Sequence, residues 1–324
     1  MRIGTLEAGP GEKVFGRLKA TETHGGFAVD IPLHIVRGAV DGPTLLVQAG
    51  LSGLEIEPSM ALPGLVKELD PAELRGTVVV VPLLNTSGFE FEQINAVWDD
   101  MHLNRLGAGR ADGTVSECLV HTYYHQVVGR ADALLDIRTG AQWSYHRYAA
   151  TYAAGNAEGS RALAAALGLP HVLTGLPADT TLASAASTGG RLVVSAWIGG
   201  GPGLRDYRSE DMGRIRLAAL NALRHLGMLP GTPEGEVAQL LGAGAVVGLP
   251  TERGLTFMDQ RKRGQTVAAG EPIGHVRHPF TGATVAQVLA PKAGVLLHAG
   301  AVWPVVPEGE PLAIVGEPIE MEGI

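Results

Sequence analysis

The sequence predicts an α/β sandwich followed by a small all-β domain, and three observations carry that expectation. Short, nearly continuous apolar runs mark strands buried on both faces of a largely parallel sheet. Helical stretches alternate with those runs, the succession that an α/β sandwich requires. Beyond Pro230-Gly231-Thr232-Pro233 the texture changes to short β segments punctuated by glycine. In chain order, alternating stretches at 27–33 and 34–38, divided by glycines, are expected to be edge strands. The runs at 44–50, 77–83 and 131–137 are expected to be the buried strands. Residues 60–69 and 117–128 fill two gaps as helices, and the alanine-rich stretch 160–167 forms a third. The last helix is the clearest: Ser209 stands as N-cap, Met212, Ile215, Ala219, Leu220, Leu223 and Leu226 recur at helical spacing, and Gly227 takes the C-cap place. The later β segments are placed at 264–267, 270–274, 290–296 and 309–315.

The boundary so drawn gives an α/β domain at 1–230, with N-terminal edge strands, and a β domain at 231–324. The second resembles a biotinyl/lipoyl-type sandwich. No lysine occupies the Met-Lys hairpin that such carriers modify, and Lys292 follows a proline in a different turn, so it is read as a structural cap.

At 324 residues, 45% hydrophobic and 18% charged, the chain suits one full-sized domain plus a smaller one, and excludes disorder and collagen. Net charge is −8 without a lysine/arginine block, which argues against nucleic-acid and membrane-surface partners and for a small molecule; a homo-oligomer stays open. No apolar run approaches the roughly 20 residues of a membrane span, and residues 1–7 lack a signal-peptide core, so a cytoplasmic location is expected. The single cysteine, Cys118, is read as a core thiol; it excludes a disulfide framework and a Cys-rich zinc site. Eleven histidines leave a histidine and carboxylate metal site open.

Directly after the first buried strand comes Gly50-Leu51-Ser52-Gly53-Leu54-Glu55, opening onto a helix. In order follow Val81-Pro82-Leu83-Leu84-Asn85 with Phe89, then Asp99-Asp100-Met101-His102-Leu103-Asn104-Arg105, the strand ending Asp136-Ile137-Arg138 with Thr139-Gly140, and Gly199-Gly200-Gly201. With the last helix and the β tail, these segments resemble the succinylglutamate desuccinylase/aspartoacylase family, zinc carboxypeptidase-like deacylases, over nearly the whole chain. The resemblance implies a three-layer α/β/α zinc-carboxypeptidase-like core with a C-terminal β domain, and amide substrates bearing a carboxylate. It also implies a zinc held by Gly-x-His-Gly-x-Glu and by the histidine of Asp-x-His, with a general-base glutamate before the glycine-rich turn.

Here Ser52 stands at the first histidine, Glu55 is retained, Arg138 replaces the third ligand and Trp197 stands at the base. A catalytic zinc lowers the pKa of its water from roughly 15.7 to about 7, about 12 kcal/mol of activation at most, and an arginine neither ligates a metal nor takes a proton. The expectation is therefore no zinc and no other cofactor, with Arg138 in the metal's seat paired to Glu55. The Asn104-Arg105 pair matches the family's carboxylate grip. His102, beside the expected pocket, can titrate near neutrality and is the candidate acid/base. Asp136 is an orienting carboxylate, and Ser52 lines the site. Trp197 is open between cavity filler, stacking surface and cation–π partner of Arg138; Trp143, Tyr145 and His146 line the pocket mouth or form an ordinary aromatic loop.

Glu55, Arg138 and His102 are thus the catalytic candidates, and Asn104, Arg105, Ser52, Trp197 and Asp136 the substrate-binding ones. Three functions remain. The first is a metal-independent enzyme acting on a small carboxylate-bearing amide or amino-acid derivative by elimination, isomerisation, cyclisation or transfer. The second is a divergent metal-dependent deacylase with a site rebuilt from Glu55, Glu57, Asp99, Asp100, His102 and His146. The third is a non-catalytic binding protein.

Overall fold

The structure, a computed structural model, describes residues 1–141, 144–201, 208–248, 254–300 and 312–319. Trp143 and residues 309–311 of the last expected strand lie outside the described residues. The chain opens with β1 (Arg2–Ile3), β2 (Leu6–Glu7), β3 (Glu12–Glu22), β4 (Ala28–Arg37) and β5 (Val40–Gln48). Then come α1 (Ile56–Glu68), β6 (Arg75–Val81), α2 (Thr86–Glu90), α3 (Val115–Gln126), β7 (Ala133–Arg138) and β8 (His146–Tyr152). The rest of the α/β part is α4 (Ala157–Ala165), β9 (His171–Leu176), α5 (Leu182–Thr188), β10 (Leu192–Gly199) and α6 (Ser209–His225). The C-terminal part holds β11 (Gln239–Val247), β12 (Leu255–Met258), β13 (Thr266–Val267), β14 (Pro272–Arg277), β15 (Thr284–Leu289), β16 (Gly294–Ala299) and β17 (Ala313–Pro318).

Among the described residues one mixed sheet runs β13-β16-β17-β11-β9-β8-β10-β7-β5-β6-β4-β3. Its centre is parallel: β6, β5, β7 and β10 are parallel neighbours, and so are β8, β9 and β11. Leucines and valines on one face pack against α1, α4 and α6, through Leu62, Leu65, Leu163, Ile215 and Leu223. The opposite face packs against α3 and α5, through Leu119, Tyr123, Leu182 and Ala186. These are the three layers of the expected α/β/α core.

The two expected edge strands are one continuous strand, β4, paired on both sides to β3 and β6. Val29, Ile31, Leu33 and Ile35 alternate inward without interruption across residues 33 and 34, so the period-2 pattern never breaks. The edge belongs to β3. Ser209 is not the N-cap of α6: Arg208 holds that place, and Glu210 and Asp211 supply the negative first turn that the helix dipole favours. Gly227 follows the C-cap Leu226 at φ 65°, as a helix stop requires.

The C-terminal part has its own core, around Met258, Ile273, Val288, Leu296 and Val315. Its β12-β14-β15 ribbon is separate, but β11 pairs in parallel with β9 and carries the main sheet into it. No helix of the described residues is long and apolar enough to cross a membrane.

Candidate active site

The parallel strands β5, β7 and β10 end on one edge of the sheet, and their register lines up two tiers of side chains. In the lower tier Gln48, Asp136 and Ser195 are direct neighbours; in the upper tier Arg138 lies beside Trp197. Beyond β5 the chain must reverse sharply. Gly50 adopts φ 67°, and a Cβ at Gly53 would fall 2.0 Å from the carbonyl carbon of Gly88 in α2, so only glycine lets the loop pass there. That turn delivers Glu55, at the N-cap of α1, to the upper tier.

Glu55 and Arg138 meet there almost without solvent, 2% and 6% exposed, with Arg138 Nε 3.0 Å from Glu55 Oε1. The backbone N–H of Thr139 donates to Oε1 and that of Ser52 to Oε2, both at 3.2 Å. The Ser52 hydroxyl accepts from the Leu54 N–H, which shapes the loop. Below the pair, Asp136 accepts from Gln48 Nε2 at 2.9 Å and from the Ser195 hydroxyl at 3.3 Å, and Tyr123 donates to Gln48 Oε1 at 2.6 Å. Burial raises Glu55 to about 7, against the Arg138 charge and the two backbone donors that hold it down, and with help from the Asp136 charge. Burial likewise raises Asp136, against Arg138, Gln48 and Ser195.

His102 does not titrate near neutrality. Burial, then the Arg138 and Arg105 charges, lower it to about 3, so the ring is neutral at physiological pH. Its Nδ1 accepts the Asn104 N–H at 3.2 Å, which leaves the ring proton on Nε2 in the neutral form. Asn104 is buried and its side-chain oxygen accepts from Leu182 N–H at the start of α5. Arg105 is exposed, and one guanidinium N–H reaches the Asn104 carbonyl.

Trp197 is half-buried. Its ring lies 5.6 Å from the Arg138 guanidinium carbon and runs parallel to Tyr148 at 6.2 Å. Of the aromatic loop, Tyr145 donates to Asp211 at 2.9 Å, and His146 is buried with Nε2 2.7 Å from the Ser144 hydroxyl. Burial, then His298 and Arg263, hold His146 well below the ordinary histidine range.

The donors of a rebuilt metal site are dispersed. Asp99 accepts from the Ser116 N–H and hydroxyl in the first turn of α3, Glu57 accepts the Gly200 N–H at 3.0 Å, and Asp100 is exposed. No three histidine, cysteine, aspartate or glutamate side chains among the described residues converge to hold a metal ion. Gln48, Tyr123 and Ser195 were not expected at the site. A glutamine and a serine inside strands otherwise apolar on both faces were the available signal.

The family model for the succinylglutamate desuccinylase/aspartoacylase catalytic domain matches residues 41–226, more than half of the chain and every residue of this cluster. The chain belongs to that family. Family members are deacylases, among them the N-alpha-acetyl-L-2,4-diaminobutyric acid deacetylase of Halomonas elongata, 29% identical over 210 residues. That match covers 63% of this chain and 60% of the relative's length. A succinylglutamate desuccinylase/aspartoacylase structure from Rhodobacter sphaeroides superposes with a TM-score of 0.85 at 23% identity, over 99% of both chains. The product-bound ectoine utilization protein EutE (DoeB) of Ruegeria pomeroyi gives 0.83 at 23%, over 97% of both. Both likenesses show that the C-terminal β part is built into this family fold.

Proposed function

We propose that the chain is a metal-independent enzyme on the deacylase scaffold, acting on a small carboxylate-bearing amide or amino-acid derivative by elimination, isomerisation, cyclisation or transfer. The observation that carries this reading is the buried Glu55–Arg138 pair. A zinc ion does not fit these residues. Of the family's three ligand positions only Glu55 is a carboxylate, and its oxygens already accept from the Thr139 and Ser52 N–H groups and lie in ion-pair contact with the Arg138 guanidinium. The other two positions hold a hydroxyl and a guanidinium that stays charged.

Arg105, exposed beside His102, binds the substrate carboxylate through its planar fork. Arg138 offers a fixed positive charge where negative charge develops, in a dry setting that strengthens it. Glu55, poised near neutral pH, removes the substrate proton as general base. His102 donates its Nε2–H as a neutral hydrogen-bond donor rather than an acid. A second reading, hydrolysis of the same amide class, is favoured by the deacetylase activity in the name of the Halomonas elongata relative.

Mass spectrometry of a panel of N-acyl and amide-bearing amino acids, with and without a strong chelator, separates the two. Non-hydrolytic chemistry, transfer included, gives products whose masses sum to those of the reactants with no water added, untouched by chelator. Products whose masses sum to that of the substrate plus one water, lost on chelation, would overturn the proposal. With Glu55 as base, kcat/KM should rise with pH through a limb near 7 that Glu55→Gln abolishes. Arg105→Ala should raise KM about tenfold to a hundredfold, the scale of one charge-assisted hydrogen bond. Because Arg105 is exposed, its melting temperature should stay within a degree or two.

A further inference from the structure

Simple alternation along β16 would send Leu296 and His298 to one face and Val295, Leu297 and Ala299 to the other. The structure differs. Leu296 and Ala299 share the core of the C-terminal part, while Val295 and Leu297 pack with Tyr148 and Leu173 of the main sheet. The register against β17 slips between Leu296 and His298. This bulge inserts one residue and turns His298 out of the C-terminal core, toward the main sheet.

There the His298 ring stacks on His146, centroids 4.9 Å apart and planes 13° apart. His146 meets Trp197 at 5.3 Å, ring edge to face. Trp197 carries the Arg138 guanidinium at 5.6 Å, and Arg138 pairs with Glu55 at 3.0 Å. The Ser144 hydroxyl, 2.7 Å from His146 Nε2, fixes the middle ring's rotation. Four successive contacts therefore run from the C-terminal part to Glu55.

We propose that His298 is a positioning residue: through His146 and Trp197 it holds Arg138 in register with Glu55, which makes the C-terminal β part a working component of the site. An arginine side chain is long and rotamer-rich, and its Nε contact with Glu55 ties it to the loop after β5. A rigid ring wall removes that freedom from the other side. His298 fits the role because its flat ring reaches across the seam where an aliphatic side chain of β16 would only fill space.

The inference rests on Arg138 being the cation of the site, but its test needs no substrate, so it fails or stands apart from the choice of reaction. Protein carrying 5-fluorotryptophan gives a Trp197 fluorine resonance, assigned through Trp197→Phe. In His298→Leu this resonance should move while that of Trp98, which packs in the opposite core, does not. Solvent exchange of the Arg138 Nε proton should quicken about tenfold, the scale of one lost cation–π contact. His298→Phe, which keeps a stacking ring, should restore both. If His298→Leu does not fold, His298→Gln makes the same comparison. An unmoved Trp197 resonance in a folded variant, or equal displacement in the leucine and phenylalanine variants, would overturn the proposal.

Discussion

Arg138→Met is expected to lower unfolding free energy by about 3–5 kcal/mol at pH 8, because it strips a buried carboxylate of its cation while leaving the volume filled. The deficit should depend on pH in a definite sense. In the folded protein Glu55 is raised from 4.5 to about 7, so its contribution is fully present below 4.5 and lost as pH rises through 7. Without Arg138 the folded value moves higher still. The variant then keeps its proton where the parent has released it, and each further pH unit costs about 1.4 kcal/mol relative to the parent. Denaturant unfolding should therefore show a deficit that is larger at pH 8 than at pH 5 by about 1.4 kcal/mol, the one pH unit beyond 7. Adding Glu55→Gln should recover part of the loss at pH 8, since a neutral, packed pair avoids the buried charge. A flat deficit below about 1 kcal/mol would instead be the signature of an exposed pair, and would remove Arg138 from the centre of the site. Turnover should fall about 10²- to 10³-fold, the usual cost of a lost anion-stabilising donor.

The strands that carry Gln48 and Arg138 were legible because strands covered on both faces leave unbroken apolar runs, whereas the strand of Trp197 was not placed; the Glu55–Arg138 contact was legible because one exchange explains another. A ligand position that gains a fixed positive charge beside a retained carboxylate invites pairing, and the family resemblance supplied the two positions, 83 residues apart. Other parts depend on distance along the chain. His102 carries no local mark of its neutrality, which comes from burial and from two arginines, one of them 36 positions away. The helix α5, Leu182-Ala-Ser-Ala-Ala-Ser-Thr, has no helical apolar period because its small residues serve close packing; its Thr181 cap was the clue. The continuity of β4 was hidden by Pro32, which sits within the strand opposite Arg17 of β3. The orientation of His298 could not be read at all, since one inserted residue in β16 reverses the alternation that any pattern reading assumes.

Ser52→His combined with Arg138→His should convert the site to a zinc site, and this gain is a more demanding test than any loss. The double variant restores two neutral nitrogen donors around Glu55, on the same glycine-shaped loop and the same strand end, while removing the guanidinium that now occupies the carboxylate. Elemental analysis of protein purified with zinc should find one ion per chain in the double variant and none in Ser52→His alone, where Arg138 still blocks the carboxylate. Thermal or denaturant unfolding should show zinc-dependent stabilisation of about 2.7 kcal/mol at a free zinc concentration one hundred times the dissociation constant. Adding Trp197→Glu places a carboxylate where the family pattern has its base, and chelator-sensitive hydrolysis of an N-acyl amino acid should then appear where the parent shows none. If the double variant binds no zinc, the loop at 50–55 and the end of β7 are not in ligand register, and Arg138 would be a structural brace rather than the occupant of a former metal seat. If Ser52→His alone binds zinc, the guanidinium yields to the metal, and the pair is too weak to define a metal-free chemistry. The full pattern, zinc only after Arg138 is removed, would support the proposed reading: one cation position, beside one carboxylate, filled by the protein itself.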